Sequence, residues 1–217
     1  MKINTPHCFL VADDHSIVRN GLALVIRSTF DNAFIYQAGT FNEIQTFVSE
    51  IKIDFLILDI SFPEGSVLRL LPGLKALQPN MKILMFSSFE EEVYALRYIK
   101  AGADGYLSKL STPEDIQNAL EIMIREGKYT SDKIKEKIVD SYMQKKSDNP
   151  LEELSQREME IGTLLVKGYG NLEISNELNL KATTVSTYKT RVFEKLGVNN
   201  LPALIQKFDL YNDNIEK

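Results

Sequence analysis

Short apolar runs alternate with amphipathic stretches through the first 128 residues. The runs fall at Cys8–Asp13, Ala33–Gln37, Phe55–Ile60, Met81–Ser87 and Gly105–Ser108. Between them, stretches near Ser16–Phe30, Phe41–Ile51, Val67–Leu77, Glu90–Ala101 and Pro113–Glu126 carry apolar residues at helical spacing. Five strand–helix repeats predict an α/β fold, a (βα)5 doubly wound parallel sheet with helices on both faces. FLVAD and FLILD are apolar up to their closing acids, as strands buried on both sides must be. Thr112-Pro113-Glu114-Asp115 predicts a helix start, with proline in the first turn and acids at the positive end of the dipole.

Gly127 predicts a helix stop, and the pattern then changes. Residues 129–150 form a charged linker in which Ile134, Ile138 and Tyr142 recur every four residues, the mark of a partly helical segment with one apolar stripe. Ser147-Asp148-Asn149-Pro150 reads as a break. From 151 to 217 the helical patterns are Ser155–Lys167, Leu172–Leu178, Thr183–Leu196 and Leu201–Phe208, with no strand pattern. The expectation is an α/β domain at 1–128 and a small all-α, four-helix domain at 151–217.

Composition narrows the class. Hydrophobic residues make up 44% and charged residues 25% of 217, which is the balance of a globular protein. No apolar run approaches the roughly 18–20 residues that span a bilayer, and the first ten residues lack a signal-peptide core. The default expectation is therefore a cytoplasmic protein without membrane association. A single cysteine, Cys8, agrees, since no intrachain disulfide can form. Net charge is −4 over residues 1–130, +1 over 131–150 and −2 over 151–217. Any nucleic-acid contact must come from a local basic patch rather than a basic domain.

Candidate chemistry collects at strand ends. In a doubly wound sheet, ligands bind outside the carboxyl ends of the strands, and Asp13, Asp14 and Asp59 sit at such ends. If their strands are neighbours, three carboxylates converge and repel one another unless a cation joins them. A hard, oxygen-seeking ion such as Mg²⁺ suits that donor set. Ser87 closes the fourth run and Lys109 follows the fifth, so a hydroxyl and an ammonium join the same end. With a metal they can neutralise a phosphoryl group in transfer, leaving one carboxylate free as nucleophile. Asp59, central and without an adjacent acid, is the choice. Blander roles exist for each: Asp14 as a helix cap, Ser87 as a strand-end hydroxyl bonded to backbone, Lys109 as a surface lysine.

VADDH, LILDI with Pro63 four residues on, MFSS and AGADGYLSK together make the first 128 residues resemble the receiver domain of two-component response regulators. The resemblance implies that Asp59 is the phosphoacceptor and that Asp13, Asp14 and Asp59 hold Mg²⁺ with the Ser61 carbonyl. It also implies that Ser87 is the switch hydroxyl, Lys109 the phosphate-binding lysine and Tyr106 the aromatic that turns inward on phosphorylation. Two departures stand out. Phe62-Pro63-Glu64-Gly65-Ser66 is about two residues shorter than the usual loop, and Leu110 replaces a common proline.

In the helical module, Glu173–Leu178, a turn at Asn179–Lys181 and Thr183–Leu196 form a helix-turn-helix candidate. Ile174, Leu178, Val185, Val192 and Leu196 fit its core side. Ser186, Thr187, Lys189, Thr190 and Arg191 line the polar face, with Lys195 one turn on and Lys181 and Thr184 at its start. The net charge from Lys181 to Lys195 is +3. Basic groups for phosphates beside short polar groups for base edges are what a recognition helix needs, although a solvated helix face has the same look. LSQRE, Gly168-Tyr169-Gly170-Asn171, TTVSTYKTRV and EKLGV make the segment similar to the LuxR/NarL-type DNA-binding domain. Ser186 stands where lysine is frequent in that family. The resemblance implies pairing of two modules through the last helix.

The combined expectation is a response regulator. A partner sensor histidine kinase phosphorylates Asp59, and the chain, as a homodimer when active, binds double-stranded promoter DNA. It is not expected to be a turnover enzyme. The rivals are a constitutive DNA-binding regulator whose receiver is a dimer scaffold, and a haloacid-dehalogenase-like phosphohydrolase. The latter needs an acid two residues after its nucleophile, where this chain has Ser61.

Overall fold

Buried β-branched and aromatic runs give the first unit a five-stranded parallel sheet. Its strands are β1 (His7–Ala12), β2 (Ala33–Ala38), β3 (Phe55–Leu58), β4 (Lys82–Ser87) and β5 (Gly105–Ser108), in the order β2-β1-β3-β4-β5. The structure is a computed structural model and describes residues 6–131, 134–135 and 149–211. Helices α1 (Ser16–Thr29), α2 (Phe41–Glu50), α3 (Val67–Leu77), α4 (Glu91–Lys100) and α5 (Pro113–Glu126) connect and follow the strands. The five predicted repeats are all present.

Strand alternation divides the core in two. Phe9, Val11, Phe55, Ile57, Leu84 and Phe86 pack with Leu22 and Ile26 of α1 and Ile116, Leu120 and Met123 of α5. Residues of the other parity, Leu10, Leu56, Leu58, Ile83 and Met85, are equally buried, as two-sided burial of central strands requires. α5 starts with the predicted signal: Thr112 accepts from the Asp115 N–H at 3.2 Å, and the Asp115 carboxylate accepts from the Thr112 N–H at 3.1 Å. The short loop after Asp59 closes as a hairpin, in which Ser61–Phe62 pairs antiparallel with Gly65–Ser66. Gly65 takes φ +138, a conformation side chains resist, and α3 then begins at the buried Val67.

The first unit runs past the expected limit at residue 128. Tyr129 bridges to Gly105, where an added Cβ would lie 2.8 Å from the Tyr129 carbonyl, and Ile134 is fully buried. The two compact units are Met1–Met143 and Gln144–Lys217. The predicted stripe positions Ile138 and Tyr142 lie outside the described residues.

The second unit is all-helical among its described residues. A 3-10 turn at Pro150–Glu153 leads to α6 (Gln156–Val166), α7 (Asn171–Glu177), α8 (Ala182–Leu196) and α9 (Leu201–Tyr211). Ile161, Leu165, Ile174, Val185, Val192, Leu196, Leu204 and Phe208 form its core. Gly162 lets α6 approach α9: a Cβ there would fall 2.6 Å from Phe208 Cζ. Among the described residues, no helix is long and apolar enough to cross a membrane.

One carboxylate ties this unit together. Glu158 Oε2 accepts from the Ser155 N–H at 2.8 Å and lies 2.7 Å from Lys195 Nζ, which also donates to the Glu153 carbonyl at 3.1 Å. The Lys195 ammonium, with the Ser155 N–H, holds the Glu158 carboxyl at about 2, below the usual carboxylate range. Glu158 is covered, but only thinly in so small a module, so water still screens the pair and its worth stays near that of a cap. Because its native pKa is depressed, the stabilisation is present above about pH 4.5 and lost as pH falls towards 2. Glu158→Gln should therefore cost about 1 kcal/mol at neutral pH and lose the part of the acid-unfolding slope that falls between those pH values. Equal acid slopes for variant and wild type by circular dichroism would refute that assignment.

Candidate functional site

Parallel pairing brings the strand-end groups together. Ala12 pairs with Leu58, and one residue further the Asp59 N–H still donates to the Ala12 carbonyl at 2.9 Å. The Asp13 N–H donates to the Ala38 carbonyl at 3.1 Å. Asp13 and Asp59 thus leave neighbouring strands at one level, with backbones about 5 Å apart. Across the sheet, Ser87 pairs with Ser108 and the Lys109 N–H donates to the Ser87 carbonyl at 2.8 Å. The Lys109 side chain reaches back over β3, placing Nζ 2.6 Å from Asp13 Oδ2 and 2.8 Å from Asp59 Oδ2.

Asp13 and Asp59 are 1% and 2% exposed. Each anchors one oxygen on backbone: Asp13 Oδ1 accepts from the His15 N–H at 2.8 Å, and Asp59 Oδ1 accepts from the Ile60 N–H at 2.7 Å. Each keeps Oδ2 for the ammonium, which meets it at ion-pair distance without an aligned hydrogen bond. Burial pushes the Asp59 carboxyl up, Lys109 pulls it down and Asp13 adds to the rise; the net direction is up. Burial also works against the Lys109 charge, but the close carboxylates of Asp13 and Asp59 outweigh it and the ammonium's pKa is raised. One cation shared by two buried anions leaves negative charge uncompensated.

Asp14 does not cap α1; that position belongs to His15, whose side chain makes no cap bond either. The His15 ring turns to the acids, with Nδ1 2.6 Å from Asp14 Oδ1 and 3.2 Å from Asp13 Oδ1. Ligand-capable atoms of Asp13, Asp14, His15 and Asp59 all lie within 4.8 Å of one another. Buried carboxylate oxygens without aligned donors, in such a cluster, fit a hard divalent cation. Ser61 lies exposed in the hairpin, two residues beyond Asp59. Sequence reasoning missed His15, whose adjacency in VADDH was the signal. It also missed Arg19, whose Nη1 donates to the Asp13 carbonyl at 2.7 Å; one helical turn from His15 is too weak a cue to have singled it out.

The other two predicted site residues of this unit, Ser87 and Tyr106, converge on Phe89. Ser87 Oγ, buried, accepts from the Phe89 N–H at 3.3 Å, and the Tyr106 hydroxyl donates to the Phe89 carbonyl at 3.0 Å. Tyr106 is 1% exposed and already turned inward, and burial pushes its hydroxyl pKa up. Where a proline is common after Lys109, the Leu110 N–H donates to Ser108 Oγ at 3.1 Å, a bond proline cannot make, and all described peptides are trans.

On α8, Val185, Val192 and Leu196 face the core, while Ser186, Thr187, Thr190 and Arg191 are exposed on the other side. Lys189 and Arg191 flank this face, their charges 5.6 Å and 5.8 Å from the rings of Phe193 and Tyr188. Lys181 is exposed at the helix start and Thr184 half-buried beside it. Lys195, one turn on, is exposed and has a partner inside the module. Its ammonium is turned back onto Glu158 and the Glu153 carbonyl, because the capping carboxylate offers a fixed partner. The α7–α8 turn closes at Asn179 with φ +50, and Asn171 Nδ2 donates to Ser186 Oγ at 3.0 Å.

Residues 9–121 match the response regulator receiver domain, and residues 152–208 match the luxR family of bacterial regulatory proteins. The oxygen regulatory protein NreC of Staphylococcus epidermidis is 32% identical over 205 residues, covering 91% of this chain and 94% of that protein. NreC of Staphylococcus aureus strain JH9 is 31% identical over 209 residues with the same coverage. In fold, the chain is similar to RcsB in its complex with DNA, with TM-score 0.71 at 23% identity over 94% of this chain and 98% of that one.

The electrostatics give a prediction. Because burial raises the Asp59 pKa, its ionised form costs the fold; that cost is absent below the ordinary carboxylate range and in force once pH passes the raised value. At neutral pH without divalent ions, Asp59→Asn should raise Tm by roughly 2–6 °C. Excess Mg²⁺ should then stabilise wild type more than the variant. A lower Tm for metal-free Asp59→Asn, measured by scanning calorimetry, would show that the Lys109 pairing outweighs burial.

Proposed function

Because this chain belongs to the response regulator receiver family, and its second unit to the luxR family of bacterial regulatory proteins, it is a response regulator with a LuxR-type DNA-binding domain, and we propose that Asp59 is its phosphoacceptor. The observation that carries this is the pair of buried oxygens, Asp13 Oδ2 and Asp59 Oδ2, held against Lys109 without aligned hydrogen bonds. Asp59 is the nucleophile in this reading, because it ends the central strand without an adjacent acid and its Oδ2 faces Lys109, while Asp13 and Asp14 adjoin each other and His15.

Asp13, Asp14 and Asp59 would hold Mg²⁺, with the Ser61 carbonyl close in sequence. When bound, the ion supplies positive charge to the oxygens of the phosphoryl group. An Asp59 oxygen attacks phosphorus as the bond to a donor leaving group breaks, the donor being a phosphohistidine of a partner kinase. Lys109 exchanges the free carboxylate for the phosphoryl oxygens, keeping its charge where negative charge accumulates. Ser87 then has two competing roles. Drawn to the phosphoryl group, its hydroxyl gives up the Phe89 N–H and loosens the residue whose carbonyl Tyr106 holds. That change at the start of α4 would reach dimerisation and release or pair the recognition helices on promoter DNA. Ser61, two residues past Asp59, supplies no second acid for rapid hydrolysis, so a lasting aspartyl phosphate is favoured over turnover. A cytoplasmic location fits these partners.

Incubation of the full chain with acetyl phosphate and Mg²⁺ should add one phosphoryl group by intact mass, absent in Asp59→Asn. Equal gain in both would place the acceptor elsewhere. Ser87→Ala should still accept the phosphoryl group but lose most of the phosphorylation-dependent change in DNA affinity. An unchanged gain in affinity would break the route through Phe89.

A further inference from the structure

The hydroxyl protons on the polar face of α8 are already allocated inside the module. Thr187 Oγ1 donates to the Thr183 carbonyl at 3.0 Å, and Thr190 Oγ1 donates to the Ser186 carbonyl at 3.1 Å. A hydroxyl has one proton and two lone pairs. With that proton committed to the helix backbone, each threonine offers DNA lone pairs and a methyl group. Ser186 differs. Its Oγ accepts from Asn171 Nδ2 at 3.0 Å, so its own proton stays free.

Asn171 is well placed for this task. It opens α7, whose start is fixed by the Glu173 carboxylate on the Gly170 N–H at 2.6 Å and whose Ile174 is fully buried. The amide is therefore braced against α8. Ser186 is thus a short hydroxyl whose bonding is set from α7.

We propose that Asn171 and Ser186 are a specificity-determining pair in which Asn171 occupies one lone pair of Ser186 and biases it towards donating, so that guanine, adenine or thymine is preferred to cytosine at the base it faces. The inference rests on α8 being the recognition helix. In the major groove guanine offers N7 and O6, adenine N7 and thymine O4 as acceptors, whereas cytosine offers only its N4 amino donor. A free hydroxyl proton meets an acceptor on three bases, whereas cytosine can engage only the single lone pair that Asn171 leaves on Ser186 Oγ. Thr187 and Thr190 have the opposite polarity, accepting from the amino groups of adenine or cytosine, or packing a methyl group on thymine.

The test is in vitro selection of duplex DNA from a random pool by the full chain treated with acetyl phosphate and Mg²⁺. Affinities are then measured on the selected duplex with all four bases at each position, for wild type, Ser186→Ala and Asn171→Asp. Wild type should disfavour cytosine at one position by roughly three- to tenfold, the worth of one hydrogen bond. Both variants should lose that discrimination at the same position. In Asn171→Asp the carboxylate can only accept and takes the Ser186 proton; its charge lowers affinity for every duplex, so the ratio between bases is the readout. Absence of any enriched sequence would overturn the recognition-helix reading and the proposal with it. An enriched site at which Ser186→Ala keeps the cytosine discrimination would overturn the proposal alone. So would discrimination lost in Ser186→Ala but kept in Asn171→Asp, since Ser186 would then act without Asn171.

Discussion

One ammonium between two buried carboxylates governs the first unit. Lys109 stands 2.6 Å from Asp13 and 2.8 Å from Asp59, and without it two like charges on adjacent strands would repel at close range. The sheet can end its central strands on acids only because the fifth strand delivers a cation to the same level. The compensation is deliberately incomplete in its chemistry: Asp14 and the second buried carboxylate leave the cluster negative. A divalent cation would supply the positive charge that the cluster lacks. The same shortage of positive charge thus costs stability and creates reactivity.

Phe89 links that pocket to the rest of the unit with ordinary backbone chemistry. Its N–H is held by Ser87 and its carbonyl by Tyr106. A residue with both backbone groups committed to functional side chains is sensitive to any change in either. Tyr106 lies inward, buried and bonded, so the link is closed while Lys109 still pairs with Asp59. The second unit works through a comparable economy. Glu158 caps α6 and holds Lys195 at once, which fixes α6 against α8 and leaves Lys189 and Arg191 as the cations flanking the polar face.

Much of this was legible in the residue pattern. Apolar runs ending on acids gave the strands, and period-four spacing gave the helices, because both signals are local and strong. Asp59, Asp13, Asp14, Ser87 and Lys109 could be gathered into one site because strand ends in a parallel sheet share one edge. The Lys195–Glu158 pair was not legible, because a helical wheel shows which side of a helix a lysine leaves from, not where a long flexible side chain stops. His15 and Arg19 were missed because their roles depend on where a ring and a guanidinium fold back, which spacing does not encode. That Tyr129, just past the expected boundary, joins the sheet through Asp104 and Gly105 was not legible, because those partners are distant in sequence.

The sequence by itself determined the order and type of the elements, the set of charged groups at the strand ends and the family to which both units belong. These follow from hydrophobic periodicity and from short motifs, which are properties of neighbours in the chain. The tertiary structure alone decided which oxygen of each aspartate faces Lys109, that the short loop after Asp59 closes as a hairpin, and that Ser186 accepts from Asn171 fifteen residues earlier. Hydrogen bonds are directional within a few tenths of an ångström, and such distances are set only when separate segments pack against one another.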